Sequence, residues 1–319
     1  MKIVVLDGFT LNPGDLSWDS LTSCGDYQVF VYDKTPRELV VEFAKDAEII
    51  FTNKTILDKE TLKSLPKLRY IGVLATGYNV VDIPTCKELN IAVTNIPAYG
   101  TKSVAQMTFA HILNIANSVE LHSQGVFNGK WCESEEFAYF EKPLFELANK
   151  TIGLIGYGQI GQEVAKIAKA FSMNVLVYSR SASIGTSDET AKFVDLDFLA
   201  KNSDIISLHC PLTDLTQNII NKEFLSKTKK GVWIINTSRG PLINEQDLAD
   251  ALNSGKVYVA GVDVLSTEPP SKNNPLLNVK NCFITPHNAW MSFEARERLL
   301  NIAIDNLVSW INKTPKNLI

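Results

Sequence analysis

Short apolar runs and helical patterns alternate along this chain in two successive blocks. The first block predicts strands near 2–6, 27–32, 48–52, 69–74 and 91–94, and helices near 36–46, 57–64 and 82–89. The second block predicts strands near 151–156, 174–178, 205–209, 232–236, 258–263 and 282–285. Strands that alternate with helices form parallel sheets whose two faces are covered. The pattern therefore predicts an α/β protein with two doubly wound parallel sheets.

Three further segments stand outside this alternation. A helical pattern at about 103–123 lies between the blocks and predicts a connecting helix, and an amphipathic pattern at 292–311 predicts a last helix. The segment 127–142 has no clear period and is rich in aromatic residues. Such a segment is typical of a surface loop packed on its own aromatics, and equally of a contact with a partner subunit.

Composition narrows the classes of partner. With 319 residues, 45% of them hydrophobic, the chain is long enough for two domains that each bury a core. Its formal net charge of -4 offers no basic surface for nucleic acid or for an anionic membrane, so the expected partner is a small molecule. No stretch is long and apolar enough to span a membrane, and the first strand ends in Asp7 rather than in a signal-peptide pattern. We therefore expect a cytoplasmic protein.

The cysteines carry no metal or disulfide signature. They are five in number and scattered without a CxxC pair, at Cys24, Cys86, Cys132, Cys210 and Cys282. An odd, dispersed set fits reduced thiols better than a disulfide framework or a zinc site.

A glycine-rich loop is the first motif with a chemical meaning. The run Gly156-Tyr157-Gly158-Gln159-Ile160-Gly161 follows a strand pattern and precedes a helical pattern at 162–171. In a dinucleotide-binding loop, the first glycine permits a tight turn, the second lets the backbone approach the pyrophosphate, and the third allows close helix packing. The helix N-terminus then favours the phosphates. The second block is therefore predicted to bind a dinucleotide cofactor.

The end of the next strand predicts which dinucleotide binds. An acidic residue there would bond the ribose 2′-hydroxyl of NAD, whereas an arginine accommodates the 2′-phosphate of NADP. Here the strand near 174–178 is followed by Ser179-Arg180-Ser181, without an acid. We expect NADP(H) to be favoured over NAD(H), with Ser179 and Arg180 at the phosphate. The alternative is that Arg180 is a solvated loop residue.

Three polar clusters follow other strands of the second block. Thr237-Ser238-Arg239-Gly240 follows 232–236, Asp263 with Glu268 follows 258–263, and Pro286-His287-Asn288 follows 282–285. The carboxyl ends of parallel strands meet at one edge of a sheet, and ligands bind there. We therefore expect these clusters to lie at the same edge as the glycine loop.

An arginine, a carboxylate and a histidine at one edge suit the reduction of a carbonyl group next to a carboxylate by a bound dinucleotide. Arg239 presents a planar fork of donors for the carboxylate and carbonyl oxygens of a 2-keto acid. His287 can give a proton to the developing alkoxide and take it back, and Glu268 would favour its protonated form and fix the ring. No metal is needed, because Arg239 and protonated His287 already polarise the carbonyl. Each residue alone also fits a capping or solvated role, so the combination carries the prediction.

These motifs, in this order and spacing, resemble the D-isomer-specific 2-hydroxyacid dehydrogenases. The resemblance rests on the glycine loop, on Asn236-Thr237-Ser238-Arg239-Gly240, on Gly261-Val262-Asp263-Val264 with Glu268-Pro269, and on Thr285-Pro286-His287. It covers nearly the whole chain. Within the family, the segments 75–82, 95–101 and 103–106 look most like the glycerate dehydrogenase branch, also called hydroxypyruvate reductases.

The resemblance implies a fold, a reaction and a set of contacts. The fold is a flavodoxin-like substrate domain, 1–100 completed by 291–319, and a Rossmann dinucleotide-binding domain, 101–290. The reaction is reversible hydride transfer between NAD(P)H and a small 2-keto acid, with hydroxypyruvate and D-glycerate as the expected pair. The resemblance also implies a homodimer joined through the dinucleotide domains. Backbone N–H groups around Ala75, Thr76 and Gly77 would hold the substrate carboxylate, and cofactor contacts are implied for Thr76, Gln159, Ile160, Cys210, Pro211, Thr237 and Asp263.

Two kinds of alternative remain open. Other substrates in this family are 3-phosphoglycerate, D-lactate and glyoxylate, and the first block shows no basic cluster that would suit a phosphate. A dinucleotide-sensing binding protein without catalysis would keep the fold. Such a sensor has no need of a proton donor, so the set of Arg239, Glu268 and His287 argues against it.

Overall fold

Two all-parallel sheets organise the chain, which we describe from a computed structural model that covers residues 2–23, 27–180 and 183–319. A first unit comprises the residues up to Gly100 together with Trp290–Ile319, and a second unit comprises Thr101–Ala289. Each unit has its own sheet and its own apolar core. The predicted fold class, two doubly wound α/β sheets, is confirmed.

The first unit has a five-stranded sheet of order β2-β1-β3-β4-β5. Its strands are β1 Lys2–Val5, β2 Gln28–Val31, β3 Ile49–Thr52, β4 Tyr70–Val73 and β5 Ala92–Thr94. Its helices are α1 Asp19–Thr22, α2 Val40–Ala44, α3 Lys59–Lys63, α4 Ile83–Glu88 and α11 Phe293–Ile311. This order is the flavodoxin-like one, in which the direction of winding reverses between β1 and β3.

The central strands of this sheet are buried on both faces. Every residue of β3 and β4 is buried, which explains why their sequences read as apolar runs rather than as alternating patterns. The C-terminal helix α11 covers one face, where Leu299 and Leu307 pack with Ile49 and Phe51. The last helix of the chain therefore completes the core that the N-terminal strands begin.

The second unit has a seven-stranded sheet of order β12-β11-β10-β9-β6-β7-β8. Its strands are β6 Thr151–Ile155, β7 Asn174–Tyr178, β8 Lys192–Phe193, β9 Ile205–Leu208, β10 Val232–Asn236, β11 Val257–Val262 and β12 Cys282–Ile284. Its helices are α5 Thr101–Asn117, α6 Val119–Phe127, α7 Gln159–Ala170, α8 Leu196–Asn202, α9 Lys222–Lys227 and α10 Glu245–Asn253. The winding reverses between β6 and β9, as in a Rossmann fold.

The helix predicted between the blocks was wrong in one respect. The pattern at 103–123 predicted a single helix, whereas the chain forms α5 and α6 with a break at Ser118. Ser118 has a φ of 45°, in the left-handed region, which cannot continue a right-handed helix. Its N–H still bonds Asn114 O, and its carbonyl oxygen already accepts from His122 N, so the backbone stays paired through the break. Hydrophobic spacing alone does not reveal such a turn.

Exposed aromatic side chains mark the segment that follows α6. Phe127, Phe137 and Phe140 are 87%, 89% and 71% exposed. Trp131 is tied to this segment, because its indole N–H donates to Phe137 O at 3.0 Å. The predicted surface excursion at 127–142 is therefore a turn-rich segment whose phenylalanine rings face solvent in the single chain.

Membrane-spanning helices and groups of metal ligands are absent from the described residues. No helix within 2–23, 27–180 and 183–319 is long and apolar enough to cross a membrane. In the same part of the chain, no three His, Cys, Asp or Glu side chains are grouped as ligands for a metal ion. Cys86, Cys132, Cys210 and Cys282 are free thiols, and Cys24 lies outside the described residues.

Candidate active site

The glycine loop lies where the winding of the second sheet reverses. Gly156 follows β6, and its N–H donates to Tyr178 O at the end of the neighbouring strand β7. Its φ is 104°, and a Cβ atom here would lie 2.5 Å from Cys210 N, which follows β9. Only glycine combines this backbone conformation with so close an approach. The loop is thus fixed in the crevice between β6 and β9.

The helix that leaves this loop has an uncapped N-terminus. Gly158 is the N-cap of α7 and contributes no side-chain cap, and the space around its missing Cβ is open to 4 Å. The first N–H groups of a helix have no partner inside the helix, and the helix dipole favours an anion beside them. Gln159, Ile160 and Gly161 supply those groups. The cradle left by two glycines and the free N–H groups fit the pyrophosphate of a dinucleotide.

The segments after β9 and β10 are joined at the same edge. Ser238 Oγ donates to Cys210 O at 2.9 Å, and Thr216 Oγ1 donates to Pro211 O at 2.7 Å. Thr237 is buried, and its hydroxyl lies 2.9 Å from Thr108 Oγ1. Cys210, Pro211 and Thr237, three of the residues predicted to contact the cofactor, therefore lie at one edge of the second sheet.

The end of β7 carries the residues predicted to select the cofactor. Ser179 and Arg180 follow the strand directly, and Ser181 lies outside the described residues. Burial raises the pKa of the Cys210 thiol, and a backbone hydrogen bond and the positive charge of Arg180 oppose this rise. Arg180 is exposed, and no ion pair within the described part of the chain involves it. Its charge is therefore available to an anion at this edge.

Arg239 projects from the turn after β10. Asn236 braces the turn, because its side chain donates to Arg239 O at 2.9 Å and accepts from Ser238 N at 3.0 Å. One guanidinium nitrogen, Nη1, donates to Ser238 O, and the side chain is exposed. The next residue, Gly240, touches the backbone of Leu265 so closely that a Cβ atom would overlap it. This contact joins the arginine turn to the segment that carries Glu268.

Glu268 and His287 form a hydrogen-bonded pair. Glu268 Oε2 lies 2.5 Å from His287 Nδ1, and its other oxygen, Oε1, accepts from Leu265 N at 3.1 Å. A carboxylate beside Nδ1 keeps a proton on that nitrogen, which leaves Nε2 as the ring atom able to exchange a proton with a bound molecule. The His287 side chain is 28% exposed and Glu268 is 34% exposed, so a ligand can reach the pair.

The backbone around His287 is held by the end of β11. His287 N donates to Asp263 O at 2.7 Å and to Thr285 O at 3.0 Å. The Asp263 carboxylate is buried and accepts from Asn288 N and Ala289 N. These bonds support a φ of 53° at His287, a conformation that L-residues adopt only at a cost.

In the first unit, the residues predicted to hold a carboxylate follow β4. Ala75 O accepts from Ile96 N, and Thr76 O accepts from the Asn95 side chain, so the loop is anchored through its carbonyl groups. Within the described part of the chain, no acceptor is bonded to the backbone N–H groups of Ala75, Thr76 or Gly77. Three consecutive free donors are suited to an anion.

Comparison with known proteins decides the family. The model of the D-isomer-specific 2-hydroxyacid dehydrogenase NAD-binding domain matches residues 109–289. A hydroxypyruvate reductase from Blautia hydrogenotrophica is 50% identical, over 100% of this chain and 99% of the relative. The chain belongs to the D-isomer-specific 2-hydroxyacid dehydrogenase family. It is an NAD(P)-dependent dehydrogenase of 2-hydroxy acids, as the sequence motifs predicted.

Two further relatives show how broad this family is. A glycerate dehydrogenase from Methylorubrum extorquens is 36% identical, over 100% of this chain and 98% of the relative. The solved structure of an acyclic imino acid reductase in complex with NADPH and D-Arg has a TM-score of 0.85 and is 34% identical, with 100% of both chains covered. The family match supports a nicotinamide dinucleotide as the cofactor of this dehydrogenase, and small 2-hydroxy or 2-keto acids are its class of substrate.

Sequence reasoning missed one group of residues at this site. His111 and Thr108 lie within the helical pattern at about 103–123 and were not singled out from the sequence, whereas both are buried on α5 against the ends of β10 and β12. Two polar side chains one turn apart on the apolar stripe of a helix are the signal that was available in the sequence.

Proposed function

We propose that this dehydrogenase interconverts hydroxypyruvate and D-glycerate. The observation that carries the proposal is the Glu268–His287 pair at the same sheet edge as the glycine loop. The substrate is argued from the relatives named hydroxypyruvate reductase and glycerate dehydrogenase. The bound cofactor supplies the hydride, and the residues of this chain orient the keto acid and provide the proton.

In the proposed reduction, His287 acts as the general acid. Its Nε2–H would donate a proton to the carbonyl oxygen of the keto acid, which becomes a hydroxyl group once the carbonyl carbon has received the hydride that the bound cofactor would supply. Glu268 stabilises the imidazolium before this step and keeps the ring in place. In the oxidation direction the neutral ring removes the hydroxyl proton. Arg239 polarises the carbonyl and binds the carboxylate oxygen next to it.

The first unit serves as the substrate domain in this proposal. The free backbone N–H groups of Ala75, Thr76 and Gly77 would bind the carboxylate of the keto acid. The cofactor would lie along the second unit. Its contacts would come from Gln159, Ile160, Cys210, Pro211, Thr237 and Asp263, with Thr76 at its nicotinamide end.

We further propose that NADP(H) is preferred to NAD(H). The exposed guanidinium of Arg180 and the absence of an acid after β7 support a 2′-phosphate site. A charge-assisted hydrogen bond of about 1.5–3 kcal/mol would separate the two cofactors by about tenfold or more in kcat/KM. Ser179→Asp should reverse the preference, whereas Ser226→Asp, which adds the same charge on α9, should not. A wild-type preference for NADH would refute this part of the proposal.

We also propose that the protein forms a homodimer through the dinucleotide domains. The exposed rings of Phe127, Phe137 and Phe140 support it, because such apolar surface is typical of subunit contacts. Light scattering should give twice the chain mass of 35.4 kDa. Replacing Phe137 and Phe140 together by serine should halve that mass, and a wild-type monomer would contradict the proposal.

The deciding experiment is a substrate panel with both cofactors. Hydroxypyruvate, glyoxylate, pyruvate and 3-phosphohydroxypyruvate are compared by loss of reduced-cofactor absorbance, and hydroxypyruvate should give the highest kcat/KM. One arm adds an amine to each keto acid, because the imino acid reductase is a full-length structural relative. Turnover that depends on the amine would make imine reduction the activity. Cofactor binding without turnover of any keto acid would favour a dinucleotide sensor.

A further inference from the structure

A hydrogen-bonded network of buried polar groups contacts the segment that carries His287. It begins at His111 on α5, which is 4% exposed, and ends at Asp263, which is 1% exposed. His111 Nε2 lies 3.2 Å from Thr285 Oγ1, and Thr285 Oγ1 donates to Asp263 Oδ1 at 2.6 Å. A buried imidazole is costly unless its polar atoms are bonded, so this arrangement has a specific reason to exist.

The direction of each hydrogen bond in this network can be assigned. A hydroxyl group has a single proton, and Thr285 gives it to Asp263. Thr285 Oγ1 can therefore only accept from His111, so His111 carries its proton on Nε2. Burial lowers the pKa of His111, although the charge of Asp263 opposes this, and the ring is neutral at ordinary pH. The donors thus point one way, from His111 through Thr285 to the carboxylate.

At the Asp263 end, this hydrogen-bonded network holds the segment 287–289. Asp263 Oδ1 also accepts from Asn288 N at 3.0 Å, and Oδ2 accepts from Ala289 N at 2.9 Å. The carbonyl oxygen of the same aspartate accepts from His287 N. A turn of the Asp263 carboxylate would therefore disturb the backbone on which His287 stands.

A glycine in the sheet leaves the space that the His111 ring occupies. Gly261 in β11 lies under the imidazole, and a Cβ atom there would come within 2.9 Å of His111 Cβ and 3.0 Å of its Cγ and Nδ1. Such contacts are too close for a side chain that is itself buried. The glycine and the histidine therefore form a matched pair across α5 and β11.

We propose that His111 and Thr285 are positioning residues for His287. They fix the orientation of the Asp263 carboxylate, and the carboxylate holds the backbone that presents His287 to Glu268. This inference rests on the role proposed for His287. Neither residue touches the reacting atoms in this account, so their effect should appear in kcat and in its pH dependence rather than in the KM of the keto acid.

Three variants test the proposal. Thr285→Val keeps the shape but removes the hydroxyl, and kcat should fall about ten- to hundredfold, because small misplacements of catalytic groups have effects of this size. Thr285→Ser restores the hydroxyl and should recover most of kcat. Gly261→Ala keeps both His111 and Thr285 but displaces the ring of His111, so it should behave like Thr285→Val. In both defective variants, the loss of kcat with rising pH should begin at lower pH.

A control and a second readout make the test decisive. Thr228→Val also deletes a buried hydroxyl, but one that bonds only Leu225 O, and it should lower Tm without changing the pH profile. The chain has four histidines, so the ring signals of His287 can be followed by NMR without any substrate. In Thr285→Val the chemical shifts of these signals should differ from those of the wild type, because the ring moves relative to Glu268. Wild-type kcat, pH profile and His287 ring signals in Thr285→Val and Gly261→Ala would overturn the inference, whereas failure of the keto-acid panel alone would overturn only the proposed function.

Discussion

Replacing Glu268 by glutamine should shift the pH profile of catalysis while leaving the shape of the site intact. Glutamine has the same size and keeps an oxygen that accepts from His287 Nδ1, but it removes the negative charge. The paired atoms lie 2.5 Å apart, and about a third of each side chain or less is exposed, 28% for His287 and 34% for Glu268. The change therefore isolates the electrostatic part of the interaction.

The size of the effect follows from that distance and exposure. Two unit charges 2.5 Å apart attract by about 1.7 kcal/mol if the dielectric constant of water is used, which the partial exposure of both groups justifies. At about 1.4 kcal/mol per factor of ten, an attraction of this size corresponds to about a tenfold change in kcat for reduction on the alkaline side of the profile. The carboxylate favours the protonated ring, and reduction requires the protonated ring. Without the charge, kcat for reduction should therefore begin to fall at a lower pH.

The assay is kcat for keto-acid reduction from about pH 5 to about pH 9, fitted to one ionisation on the alkaline side. Glu223→Gln is the matched control, because it removes the same charge from an exposed pair with Lys227 on α9. Its profile should match the wild type. A Glu268→Gln profile that superimposes on the wild type, or that moves to higher pH, would refute the electrostatic role given to Glu268.

Three further predictions concern the catalytic residues and stability. His287→Asn should lower turnover by about two to four orders of magnitude with little change in cofactor affinity, and near-normal turnover would remove His287 from its proposed role. Arg239→Lys keeps the charge but loses the bidentate geometry, so kcat/KM for 2-keto acids should drop steeply; unchanged kcat/KM would mean that the carboxylate is held elsewhere. Burial lowers the pKa of His111 and, to about 3, that of His209, so below about pH 6.5 the folded protein binds fewer protons than the unfolded chain. The free energy of unfolding in urea should therefore fall as the pH drops through that value, and a flat profile would contradict this account.

The architecture was predictable because local patterns determine it. Apolar runs buried on both faces, such as β3 and β4, predict parallel strands whatever their partners are, and the glycine loop is a contiguous motif. The predicted helix at 103–123 was wrong because one backbone angle at Ser118 interrupts an otherwise continuous hydrophobic pattern. The strand β8 was missed because two residues are too short for any period to appear.

The candidate site, like the fold, was predictable from the sequence only in part. Arg239, Glu268 and His287 could be chosen as candidates because each follows a predicted strand, where chemistry is expected. The bonds behind them could not, since Thr285 and Asp263 are 22 residues apart and His111 lies 174 residues from Thr285. No local pattern indicates which buried hydroxyl meets which imidazole. Only the packing of α5 across β11 brings these groups together.

The left-handed backbone at His287 limits how this position can change in evolution. Asparagine and aspartate tolerate a φ of 53° better than other non-glycine residues, and both lie one nucleotide away from histidine in the genetic code. A lineage that gave up catalysis could therefore replace this histidine without first rebuilding the loop around it. Valine or isoleucine would be strained there, because a branched Cβ suits such a backbone poorly. A relative with Asn or Asp here and an intact glycine loop would thus be a folded protein that still binds dinucleotide but has lost its proton donor.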